Sequence, residues 1–198
     1  MNRIYKLKIF LVLFFVFAYQ TNAETNIVTL VTPGEVQALE SDQGYLLIFL
    51  NCEGVSSSIE FSKFRGRKKS SEYFKKLKFY KNYIVSLENK EKGFYLLPLI
   101  EGNYQIKKVN IPFHDLPYQR TTKNNRSWRF GIERGKINYI GELNIAKERS
   151  SNSADINLIN RLAFHKEKIN KQLANLLVDY PIANNLGYFD DFLMELKK

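Results

Sequence analysis

Short apolar runs recur along this chain, each closed by glycine, proline or asparagine, and that rhythm constrains the fold more than any other feature. Ile27-Val28-Thr29-Leu30-Val31 is β-branched and stops at Pro33-Gly34. Tyr45-Leu46-Leu47-Ile48-Phe49-Leu50 is continuously apolar after Gly44, the pattern of a strand covered on both faces. Ile59 and Phe61 alternate with polar residues, and Tyr83-Ile84-Val85-Ser86-Leu87 ends at Asn89. A Lys-Glu-Lys-Gly turn then leads into Phe94-Tyr95-Leu96-Leu97, and Tyr104, Ile106 and Val109 follow Gly102-Asn103. Runs this short and this evenly punctuated predict a mainly β protein, an antiparallel β-sandwich.

Further on, Phe130-Gly131-Ile132-Glu133 and Lys136-Ile137-Asn138-Tyr139-Ile140 flank Arg134-Gly135. Both arms alternate, and Gly135 supplies the positive φ of a tight connection, so a hairpin is expected here, with a bulge at Gly141. From His165 to Asp179, Ile169, Leu173, Leu176 and Leu177 recur at helical spacing and Pro181 closes the segment, which predicts a C-terminal amphipathic helix. Residues 156–164 fit either a last strand or a helix capped by Ser153; the strand is preferred. Phe189, Phe192, Leu193 and Leu196 after Gly187 suggest a short docking turn of helix.

The first 23 residues are expected to leave the chain. Arg3, Lys6 and Lys8 precede ten apolar residues, Ile9 to Ala18, and Thr21-Asn22-Ala23 then offers small residues at a cleavage site. A spanning helix needs about 20 apolar residues, so the pattern is an export signal rather than an anchor. The other expectation is an uncleaved anchor helix. Cleavage after Ala23 takes 23 of 198 residues and three of the cations, so 175 residues remain and the charge goes from +10 to +7. No later apolar stretch is long enough to span a bilayer, and no cysteine stands directly after the signal for lipidation, the only one being Cys52. The protein is therefore expected to be periplasmic or secreted, with 24–150 forming the sandwich and 151–198 a strand and helix extension packed on it.

Two patches carry a family resemblance. Phe94-Tyr95-Leu96-Leu97-Pro98-Leu99-Ile100-Glu101-Gly102-Asn103-Tyr104-Gln105-Ile106 resembles the strand-turn-strand of transthyretin-like and CnaB-like (prealbumin-like) sandwiches, in which a turn glycine precedes a core tyrosine. Three residues separate Pro98 from Gly102, where that family keeps proline and glycine nearly side by side. Phe130 to Gly141 is similar to a hairpin in exported bacterial proteins of uncharacterised function that carry such a sandwich. The patches cover about 25 residues. The resemblance implies an adhesion, stalk, transport or accessory module and no catalytic residues; fold analogy does not establish function.

Chemistry-bearing patterns are sparse. Cys52 lacks a partner in its own chain, so a buried inert thiol is expected, with an intermolecular disulfide as the alternative. A catalytic thiol would need His114 or His165 brought to it by the fold. Gly54 to Ser58 is half a nucleophile elbow without the closing glycine. His114-Asp115 could do acid-base work but has no matched nucleophile, and Asp190-Asp191 reads as a solvated face. Asn125-Arg126-Ser127 fits a glycosylation acceptor. No catalytic residue, metal ligand or cofactor is assigned, and the chain is expected not to be an enzyme, an uncharacterised hydrolase being the alternative.

The composition anomaly is basic. Lys63, Arg65, Arg67, Lys68, Lys69, Lys75, Lys76, Lys78 and Lys81 face one acid, Glu72, with Phe64, Tyr73, Phe74, Phe79 and Tyr80 interleaved. A second basic loop runs Arg120, Lys123, Arg126 and Arg129 beside Trp128. Cations among aromatics hold phosphates and stack bases or sugars, and export turns the expectation away from nucleic acid. The anion-binding candidates are Lys63, Arg65, Arg67, Lys68, Lys69, Lys75, Lys76, Lys78, Arg126 and Trp128. The alternative is a solvated connection that its aromatics pin to the sandwich. Two functions follow: an envelope accessory module acting through contacts with an envelope protein, or a binder of anionic polymer or lipid head groups through residues 63–81.

Overall fold

The computed structural model describes residues 25–52, 56–65, 78–112, 117–123, 125–148 and 153–186. The export signal, most of the basic segment, His114, Gly54, Val55 and Asp190-Asp191 lie outside them. The described residues form β1 (Thr25–Val28), β2 (Gln43–Asn51), β3 (Ser58–Arg65), β4 (Lys78–Ser86), β5 (Gly93–Ile100) and β6 (Gly102–Pro112). Then come β7 (Pro117–Thr121), β8 (Arg129–Ile132), β9 (Ile137–Glu148) and β10 (Ser153–Ile159), helices α1 (Leu162–Gln172) and α2 (Ala174–Asp179), and β11 (Ile182–Asn184). One sheet has the order β1-β4-β3-β6-β7, with β8 also on β6; the other has the order β10-β9-β2-β5, with β11 also on β9.

The protein is mainly β, with two sheets facing each other across a shared core as in a β-sandwich. Leu46, Ile48, Leu50 and Ile145 of one sheet meet Phe61, Val85, Ile106 and Phe130 of the other. The sheets are mixed rather than antiparallel, because β1 on β4, β2 on β9 and β11 on β9 run parallel. A parallel pair cannot be closed by a tight turn, and between β2 and β9 the chain passes through strands of the other sheet and through β5.

The apolar run in β2 is explained by a second core. Leu46, Ile48 and Leu50 face the first, while Tyr45, Leu47 and Phe49 face outward onto Ile169 and Leu173 of the helical layer. That layer is the expected amphipathic helix, broken into α1 and α2 at Leu173. Residues 153–159 form a strand, and the helix begins at Leu162, so the ambiguous stretch divides between its two readings. β10 and β11 are both hydrogen-bonded to β9.

The hairpin at 130–140 is corrected. Its arms are strands, but β8 pairs with β6 and β9 with β2, so they belong to different sheets. Gly135 and Lys136 spend backbone groups on β2: Gly135 N donates to Gln43 O (2.8 Å) and Tyr45 N donates to Lys136 O (2.9 Å). Gly44 makes room, since a Cβ there would stand 2.1 Å from Glu133 O. Buried Asn138 staples the corner, its Nδ2 donating to Tyr45 O, Glu133 O and Lys136 O while its Oδ1 accepts from Glu133 N. Gly135 does take positive φ (64°), and the β2–β9 register slips beside Gly141 as a bulge.

Candidate functional site

The two ends of the basic segment are strands of one antiparallel pair. β3 and β4 set Lys63 opposite Lys81 and Arg65 opposite Lys78. Like charges directly opposed across a ladder destabilise it, and here two cationic positions face two others at the end of the described pairing. A register slip between them puts Phe64 opposite Phe79, and the two rings meet edge to face at 6.0 Å.

The cations near this end of the hairpin lie against aromatic faces. Lys63 Nζ is 6.0 Å from the Tyr80 ring and 5.9 Å from Tyr104, and the Arg65 guanidinium is 5.3 Å from Tyr80. Next to Phe64 in the chain, Lys63 crosses Gly102, whose φ of 151° and missing Cβ leave it space; a Cβ would come within 2.4 Å of Lys63 Cε. Around the Phe64–Phe79 pair, Lys107 and Lys123 approach Phe79 at 5.7 and 5.8 Å, and Arg129 approaches Phe64 at 5.4 Å. An ammonium or guanidinium within about 6 Å of a ring is attracted by its quadrupole, which fixes long side chains that solvent would leave loose.

Burial, followed by the charge on Lys81, holds the Lys63 ammonium below its ordinary pKa. Lys107 is lowered as well, first by burial, with Lys123 and Lys108 adding to it against Glu60. Acids do touch the region: Glu60 pairs with Lys108 at 3.7 Å, and Asp42 and Glu101 act on Lys63.

Of the expected binding residues, Lys63 and Arg65 stand at this end with their geometry described. Lys78 is placed there by its backbone register. Arg67, Lys68, Lys69, Lys75 and Lys76 lie outside the described residues. Arg126 is exposed in a short 3-10 turn, Arg126–Trp128, and Trp128 is buried in the inter-sheet core, where its ring serves packing rather than a ligand. Lys107 and the platform role of Phe79 escaped sequence reasoning. Only the pairing of β6 with β3 brings Lys107 here, and its one local signal is the adjacent Lys107-Lys108.

A second group was also missed. His165 Nε2 lies 2.8 Å from Glu142 Oε2, both side chains buried under α1, and Arg161 Nη1 is 3.6 Å from the other carboxylate oxygen. A proton on Nε2 lets the ring donate to Glu142 and leaves Nδ1, which has no partner, as a bare lone pair. Cys52 is on the opposite face of this sheet, in the inter-sheet core, so His165 cannot activate it. Burial pushes the Cys52 thiol up to about 12, well away from a reactive thiolate.

Compared with known proteins, the chain matches no family model and no curated protein sequence. Among the described residues, no helix is long and apolar enough to cross a membrane.

Proposed function

We propose that the protein is an exported, non-enzymatic sandwich of transthyretin-like type that binds an anionic envelope polymer or lipid head groups through the β3–β4 hairpin. The observation that carries this is the pair of like-charge oppositions, Lys63 with Lys81 and Arg65 with Lys78. A bound anion relieves that repulsion, and the aromatic seats of Lys63 and Arg65 hold those two cations ready for it. The sandwich type is supported by Gly102 and Tyr104, whose hydroxyl donates to Ile100 O at 2.6 Å from inside the core. The envelope accessory role fits the same surface when the partner protein is acidic.

The charge opposition supplies its own test. Lys81→Glu turns one repulsive pair into an attractive one, so the fold should gain roughly 0.5–1 kcal/mol while anion binding falls. Retention of the wild type on an immobilised anionic polysaccharide should weaken in moderate salt, and Lys81→Glu should elute earlier. Unchanged retention in a stabilised variant would rule the hairpin out as the binding surface.

A further inference from the structure

On the far side of the other sheet, α1 and β11 enclose a groove of about 680 Å³. This lies within the range of ligand sites, roughly 300–1,000 Å³. Its apolar wall is Leu162, Phe164, Ile169 and Ile182. Ile169 is buried, whereas Phe164 is 72 % exposed, one of the most exposed large apolar side chains among the described residues. Phe164 is nevertheless positioned, because its ring meets the buried His165 ring edge to face at 5.4 Å. An aromatic ring held in place and left open to solvent is surface that a ligand can cover.

The charge of the groove is one-sided. Among the described residues, Arg161 and Lys166 line it and no acid does. Arg161 is tethered through Glu142, whose two oxygens are shared between Arg161 and His165. One edge of the guanidinium is thereby engaged, and a planar fork with five donors keeps others free. The rim is fixed by asparagines: Asn160 Nδ2 donates to Asn184 Oδ1 at 3.1 Å, tying the start of α1 to β11, and Leu162 N donates to Asn160 Oδ1 at 3.1 Å. The groove therefore joins an apolar wall to two cations, one of them pre-oriented.

We infer that this groove binds a single-chain anionic amphiphile, with the apolar chain along Phe164, Ile169 and Ile182 and the carboxylate on Arg161 and Lys166. The apolar wall selects an alkyl chain over a sugar or nucleotide, and the lack of lining acids selects an anionic head over a cationic one. The site is separate from the β3–β4 hairpin and does not depend on it.

Titration of the full exported chain with dodecanoate, followed by calorimetry, tests this. Saturable one-to-one binding is expected. Dodecanol, with the same chain and no charge, should bind about tenfold more weakly or worse, because a charge-assisted contact is lost. Lys166→Glu, at an exposed position, should weaken dodecanoate by a similar factor, and Ala163→Trp should abolish binding by filling the groove. Circular dichroism and melting curves establish that each variant folds; if Ala163→Trp does not, Lys166→Glu decides. Lys81→Glu should bind dodecanoate like the wild type, which separates this site from the hairpin. Absence of saturable binding, equal binding of dodecanol, or indifference to Lys166→Glu would each overturn the inference. So would binding that emerges only when residues 187–198 are removed, since the groove would then belong to the chain's own C-terminal segment.

Discussion

Two fully buried tyrosines differ in what their hydroxyls do. Tyr104 donates to Ile100 O, whereas the Tyr139 hydroxyl sits near the Arg161 backbone without a hydrogen bond of ordinary geometry. Tyr104→Phe should therefore cost about 1 kcal/mol. Tyr139→Phe should be neutral or stabilising by up to about 2 kcal/mol, since it removes an unpaired buried hydroxyl. Tyr139→Ala should cost on the order of 3–5 kcal/mol through the cavity. Urea unfolding of the three variants checks that order, and a destabilised Tyr139→Phe would mean that the hydroxyl has a partner. Cys52 carries a pH signature. In the unfolded chain its thiol ionises near the ordinary value of about 8.5, while the folded one stays protonated up to about 12. Between those values the unfolded state binds fewer protons, so the contribution is fully present below the first and lost as pH rises toward the second. The native thiol should resist a thiol reagent at pH about 8 and react on denaturation, and Cys52→Ala should flatten the alkaline loss of stability.

Among the elements, the β8–β9 connection departs most from local expectation. A glycine turn between two alternating arms has the chemistry of a hairpin, and Gly135 does adopt the turn conformation. The arms part because β2 offers Gln43 O and Tyr45 N to the turn, and because Gly44 allows the approach. Asn138 makes that choice stable, its buried amide hydrogen-bonded to Tyr45, Glu133, Lys136 and Asn185. Asn138→Ala strands several of these buried groups, at roughly 1–3 kcal/mol for each one left unsatisfied, and should cost 3 kcal/mol or more. Gly44→Ala sets a methyl against a backbone carbonyl that cannot swing away, so it should destabilise comparably. Thermal melts report both. A mild effect from each would restore the simple hairpin.

For the whole molecule, the C-terminal quarter is structural. β10 and β11 complete the β9 edge, and α1 and α2 cover Tyr45, Leu47, Phe49 and Phe94. A chain ended at residue 150 would expose that apolar face and leave β9 unpaired along one side, an invitation to aggregation. Such a chain should lose its cooperative unfolding transition and bind a hydrophobic dye. A sharp melt from the truncated chain would show that the helical layer is dispensable.

Local pattern was enough to determine that this chain is mainly β, where most strands lie, that β2 is covered on both faces, and that an amphipathic helix precedes Pro181. Alternation, turn residues and helical spacing act between near neighbours, so they are written in neighbouring letters. Pairing partners are not local, and the fold alone decided them: β9 beside β2 rather than β8, and the parallel contacts of β1 and β11. The same holds for the sites. Lys63 and Arg65 could be suspected from a run of cations, but the opposition of Lys63 to Lys81 is a register, and Lys107 arrives from β6. His165, Glu142 and Arg161 are ordinary residues in sequence; His165 and Glu142 become a buried pair, with exposed Arg161 at its edge, because α1 folds back across β9, and burial strips away the water that would otherwise keep the pair apart.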